Sequence, residues 1–75
     1  MINTIGMIGT GNMGSAILRG IVEAEYVKAS MIIAYDTSSR RLKELEEDIP
    51  GVSIARDCLE VAEKADLIIL AVKPI

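Results

Sequence analysis

The sequence predicts an α/β fold: a doubly wound parallel sheet, of which this chain supplies the N-terminal half. Three observations carry that reading. Short apolar runs alternate with amphipathic stretches in the order β-α-β-α-β-α-β, with connections too short for anything but adjacent packing. The apolar runs read as continuous hydrophobic segments, as strands covered on both faces do. A glycine-rich turn joins the first run to the first amphipathic stretch. Parallel pairing with right-handed crossovers then gives the strand order 3-2-1-4, with a crevice between strands one and four.

The first strand is read at Thr4 to Ile8 and the first helix at Asn12 to Glu25, with Met13, Ile17, Ile21 and Ala24 as its buried stripe. Gly20 interrupts that helix, which tight packing on the sheet would explain. Met31 to Asp36 is the second strand, ending in an acid. Thr37, Ser38 and Ser39 then offer capping hydroxyls to a second helix that runs to Asp48. Leu42, Leu45 and Ile49 form its buried face, with Arg40–Glu44 and Lys43–Glu47 paired on the wet side. Pro50-Gly51 ends it, and Val52-Ser53-Ile54 is a short strand at the sheet edge.

Asp57 and Glu60 have capping-box spacing, so a short third helix is expected over 57–64, with Cys58 buried or half-buried in its first turn. Asp66 to Val72 is the most apolar run and reads as a central strand, closed by Lys73-Pro74. Gly9 and Val72 would face each other across the crevice. Lys73 then stands at its mouth, either as a solvated base or as a contact to cofactor or substrate.

Composition narrows the function. The length is about half of a complete domain of this class, ~100–200 residues. A hydrophobic content of 51% with mean hydropathy +0.39 suits a piece of something larger. No apolar run approaches the ~18 residues of a membrane span, and the N-terminus has no secretory leader pattern. A net charge of −3 and 3% aromatics argue against a nucleic-acid surface. One cysteine and no histidine exclude an internal disulfide, make His- or Cys-based metal clusters unexpected, and fit a reducing cytoplasm. No general acid, base or nucleophile constellation is present, so no catalytic residue is assigned.

The chemistry-bearing motif is Gly9-Thr10-Gly11-Asn12-Met13-Gly14, a G-x-G-x-x-G on a strand, turn and helix, with Asp36 about 20 residues beyond. Gly9 permits the tight turn, Gly11 leaves room for phosphates, and Gly14 lets the helix close on the strand. The helix N-terminus attracts the anion. This is the pattern of a Rossmann-like dinucleotide site; S-adenosylmethionine or another nucleotide, and a fold that has lost its ligand, are the alternatives. Asp36 would accept hydrogen bonds from the adenosine ribose, favouring NADH. Ser38, Ser39, Arg40 and Arg41 instead offer a cradle for a 2′-phosphate; the remaining alternative is an Asp36 that caps the turn beside solvated arginines.

Two segments resemble the pyrroline-5-carboxylate reductases: Ile8-Gly9-Thr10-Gly11-Asn12-Met13-Gly14-Ser15-Ala16-Ile17, and Ala65 to Pro74 with its Ala-Val-Lys-Pro ending. The resemblance covers the whole chain and implies hydride transfer from NAD(P)H, NADPH favoured, to the C=N carbon of 1-pyrroline-5-carboxylate in proline synthesis. It places Ile8, Gly9, Thr10, Gly11, Asn12 and Met13 at the pyrophosphate, and Asp36, Thr37 and Ser38 at the adenosine ribose. Ala71, Val72, Lys73 and Pro74 fall at the nicotinamide. The family often carries Asn where this chain has Cys58, a departure that bears on a polar cofactor contact. The helical C-terminal domain that binds the imine substrate and dimerises in the family is missing, so these residues are expected to be inactive alone and part of a homo-oligomer when whole. A stand-alone nucleotide-binding or redox-sensing module and a piece of a 3-hydroxyacid dehydrogenase are the rival readings.

Overall fold

The computed structural model describes residues 3–71. Strand β1 (Ile5–Ile8) leads into helix α1 (Asn12–Glu23), followed by a 3-10 turn at Ala29–Met31 and strand β2 (Ile32–Tyr35). Helix α2 (Ser39–Asp48), strand β3 (Ser53–Ile54), helix α3 (Cys58–Lys64) and strand β4 (Leu67–Leu70) complete the order. All pairings are parallel and the sheet runs β3-β2-β1-β4, as expected. Ile5 stands level with Ile32 on one side and Leu67 on the other, so the C-terminal ends of β1, β2 and β4 finish together.

Side chains alternate between two cores. Met7, Ile32 and Ala34 pack with Leu18 of α1 and Leu45, Ile49 and Val52 around α2. Ile33, on the opposite face, packs with Ala55 and Val61, joined by Ile8, Tyr35 and Ala65. Helix α3 reaches β1 only because Gly6 has no side chain: a Cβ there would stand 2.5 Å from Val61 Cγ1 and 2.7 Å from Ala65 Cβ.

The caps follow the residues that predicted them. Ser38 Oγ accepts the Arg41 amide at 3.3 Å at the start of α2, and Asp57 Oδ1 accepts the Glu60 amide at 2.8 Å at the start of α3. Glu60 closes the return half of the box on the Arg56 amide (2.7 Å), one residue before the cap. Helix α1 ends in a Schellman arrangement, Tyr26 N–H to Ile21 O and Glu25 N–H to Val22 O, which holds Glu25 at φ +63°.

Several expectations are corrected. Helix α1 stops at Glu23, and its inward residue is the fully buried Leu18, with Ile21 and Val22 packed beside it. Met13, Ile17 and Ala24 face outward. The cause is Gly14, whose Cβ would lie 2.8 Å from the Gly9 carbonyl oxygen. That contact turns position 14 toward the sheet and carries 18, 21 and 22 inward with it. Gly20 is exposed and a Cβ there would meet nothing within 4 Å, so packing does not explain it. Arg40 pairs with Glu44 at 3.7 Å, but among the described residues Lys43 and Glu47 form no ion pair. Cys58 is exposed, because α3 turns Val61 rather than its first residue to the sheet. Strand β4, read from the sequence as central, stands last in the described order β3-β2-β1-β4, the expected order, with its apolar Leu67, Ile68 and Leu70 exposed. Among the described residues, no helix is long and apolar enough to cross a membrane.

Candidate nucleotide-binding site

The β1–α1 turn is built by backbone geometry. Gly9 sits at φ +91°, a conformation that disfavours any side chain, and its N–H donates to Tyr35 O at 2.9 Å. Thr10 is buried, and its N–H and hydroxyl donate to Asp36 Oδ2 at 2.7 and 3.2 Å. The Ser15 hydroxyl closes the turn on Thr10 O at 3.0 Å. Gly11 then begins α1 with no side-chain cap and no acid in the first turn.

Two of the amides expected to face an anion, those of Gly9 and Thr10, are therefore spent inside the protein. The donors left toward a ligand belong to the uncapped first turn of α1. These are the groups whose partial positive charge suits a phosphate.

Above this turn lies a cleft of about 1150 Å3. Of the expected site residues, Ile8, Gly9, Thr10, Gly11, Met13, Asp36, Thr37 and Ala71 line it. Ser38 contributes its N–H to Asp36 Oδ1 at 2.8 Å, and Asn12 opens α1. Val72, Lys73 and Pro74 lie outside the described residues. A smaller cavity of about 380 Å3 lies at the opposite ends of the strands, lined by Thr4, Ser30 and Ser53 among others. Ligands of doubly wound sheets bind beyond the carboxyl ends, which selects the larger cleft.

The charge in the cleft is compensated. Arg41 NH1 stands 3.9 Å from Asp36 Oδ2 and 3.7 Å from where a Gly11 Cβ would be, so the guanidinium overhangs the glycine turn. Burial alone would raise the Asp36 pKa. The Thr10 and Ser38 amides, the Thr10 hydroxyl and the Arg41 charge outweigh it and hold the carboxyl below its ordinary value. Sequence reasoning did not place Arg19, Tyr35 or Leu70 in this cleft, and it met Cys58 only as a departure at a cofactor contact. Tyr35 and Leu70 end β2 and β4 slightly short of the ends read from the sequence, which left them inside the strands; the signal for Cys58 was the family's Asn at that position.

The chain is similar to proteins of known chemistry. It is 41% identical over 70 residues to a pyrroline-5-carboxylate reductase of Escherichia coli, covering 93% of this chain and 26% of that protein. It is 39% identical to the pyrroline-5-carboxylate reductase of Methanosarcina acetivorans, with the same coverage. An imine reductase from Pseudomonas sp. superposes with a TM-score of 0.73 at 26% identity, over 91% of this chain and 22% of that one. The chain thus spans about a quarter of the length of the curated relatives it matches. The family model described as "NADP oxidoreductase coenzyme F420-dependent" matches residues 4–75, and the chain, with its Rossmann-like sheet and glycine turn, belongs to that family.

Proposed function

We propose that the cleft binds NAD(P)H and that the chain is the cofactor-binding part of a reductase acting on the C=N bond of 1-pyrroline-5-carboxylate. The observation that carries the reading is the uncapped first turn of α1, opening beside the ends of β1, β2 and β4 with Gly11 presenting no Cβ and Arg41 adding a cation. The likeness to pyrroline-5-carboxylate reductases and to an imine reductase supports the substrate class.

The residues fit a dinucleotide. The α1 first turn, from Gly11 through Asn12 and Met13, takes the pyrophosphate, with Ile8, Gly9 and Thr10 shaping the turn beneath it. Asp36, Thr37 and Ser38 form the adenosine-ribose end. Ala71 leads toward the nicotinamide end, where the family resemblance places Val72, Lys73 and Pro74. When bound, the reduced nicotinamide supplies the hydride. The chain binds and orients the cofactor, and residues outside these 75 hold the imine substrate and form the homo-oligomer. Arg41 favours NADPH, as the resemblance does, and an acid at position 36 favours NADH. A cytoplasmic setting suits a metabolic reductase with a single cysteine.

The test is absorbance of NADPH with 1-pyrroline-5-carboxylate as substrate, using the full-length polypeptide that carries this chain. Imine-dependent oxidation of the cofactor is the expected result. Turnover of 3-hydroxyacids with NADP instead, or nucleotide binding without any turnover, would contradict it.

A further inference from the structure

The acid at the end of β2 is engaged oxygen by oxygen. Asp36 is 7% exposed. Its Oδ2 receives the Thr10 amide (2.7 Å) and hydroxyl (3.2 Å), and its Oδ1 receives the Ser38 amide (2.8 Å). Arg41 NH1 faces Oδ2 at 3.9 Å. A carboxylate offers about four acceptor positions; three are taken here by hydrogen bonds, two on Oδ2 and one on Oδ1, and the Arg41 guanidinium adds its charge at 3.9 Å without a hydrogen bond. Turning it toward a ribose would strip the acceptor from the buried Thr10 amide, which is costly in itself.

The three hydrogen bonds join segments that must keep their relative places. Thr10 is the middle of the glycine turn and holds α1 through the Ser15 hydroxyl, while Ser38 is the cap of α2. We infer that Asp36 is a positioning residue that clips the glycine turn to the start of α2 and acts on the dinucleotide through Thr10, without itself receiving the ribose hydroxyls. The inference rests on the dinucleotide reading of the cleft. It assigns discrimination at the 2′ position to the side chains around Asp36, Arg41 foremost.

Two compounds separate the roles: NADH, and its analogue lacking the adenosine 2′-hydroxyl. Both are titrated by dihydronicotinamide fluorescence against the full chain, Asp36→Asn and Thr10→Val. A clip makes Asp36→Asn weaken both compounds by the same factor, on the order of tenfold for one charge-assisted hydrogen bond. Thr10→Val, which removes only the hydroxyl donor, shifts both in the same direction by less. A ribose-reading acid gives the opposite pattern: the wild-type chain discriminates against the deoxy analogue, and Asp36→Asn erases that preference while leaving analogue affinity unchanged. That pattern overturns the inference.

Amide proton shifts in the unliganded chain give an independent readout. The Thr10 and Ser38 signals, drawn downfield by a carboxylate acceptor, should move upfield together in Asp36→Asn. Unmoved signals overturn the clip even where binding is intact. A wild-type chain that binds neither compound overturns the reading of the cleft, and with it any action on the dinucleotide.

Discussion

Asp36 accepts the Thr10 amide at 2.7 Å across 26 positions of sequence, so the last residue of the second strand's run holds the first helix's entry. The bond ties stability to pH. The Asp36 carboxyl lies below its ordinary value of 3.8, with the Thr10 and Ser38 amides overcoming the effect of burial. A depressed folded-state pKa contributes stability that is fully present above the unfolded value and lost as pH falls through the folded one. Thermal unfolding followed from neutral pH to below 3.8 should show a falling Tm, with a shallower fall in Asp36→Asn. Glu60 and Asp66, also depressed by backbone donors, keep part of the slope in that variant. An equal slope in variant and wild type would contradict the arrangement.

Two glycines in one helix should respond in opposite directions. Gly14→Ala places a Cβ 2.8 Å from the Gly9 carbonyl oxygen, a backbone atom that cannot step aside, and should cost about 1–3 kcal/mol. Gly20→Ala meets nothing and should gain up to about 1 kcal/mol from helix propensity. Urea unfolding of both variants checks the pair.

The buried face of α1 is tested by neighbours. Leu18→Ala empties a fully buried position and should cost about 2–5 kcal/mol. Ile17→Ala, at a position 40% exposed, should cost under about 1 kcal/mol. Equal losses would mean that α1 is rotated from the orientation Gly14 imposes.

Glu25 occupies the left-handed position of the Schellman turn at φ +63°. Glu25→Gly removes the Cβ strain of that conformation and should raise stability by about 1 kcal/mol, read as an increase in the urea midpoint.

The fold was legible because its signals are local. Continuous apolar runs such as Ile32 to Ala34 mark covered strands, and Ser38 and Asp57 mark helix starts by the oxygen they place before the first free amides. The face of α1 was misread because Met13 and Ile17 satisfy hydrophobic periodicity as well as Leu18 does. Only the contact between Gly14 and Gly9 chooses between the two faces. Gly6 has the same character: its value is invisible until α3 lies on it.

The site divides along the same line. The glycine turn and the acid at position 36 stand out in the sequence. The spending of the Gly9 and Thr10 amides on Tyr35 and Asp36 depends on two strands finishing side by side, which no local pattern records. Arg41 reads equally as part of a 2′-phosphate cradle or as a solvated arginine until α2 brings its guanidinium over the glycine turn.

Gly11→Val tests the pyrophosphate position most directly. Gly11 has an ordinary φ of −67°, and the nearest atom to an added Cβ is Arg41 NH1 at 3.7 Å, so the fold should survive the change. The added methyls point to the mouth that a phosphate must enter. Fluorescence titration with NADPH and NADH, alongside an unfolding curve for each protein, should show wild-type binding to at least one cofactor. The folded variant should bind either one at least roughly tenfold more weakly, about 1.4 kcal/mol. A folded Gly11→Val chain that binds both cofactors as the wild type does would contradict a dinucleotide seated on the first turn of α1.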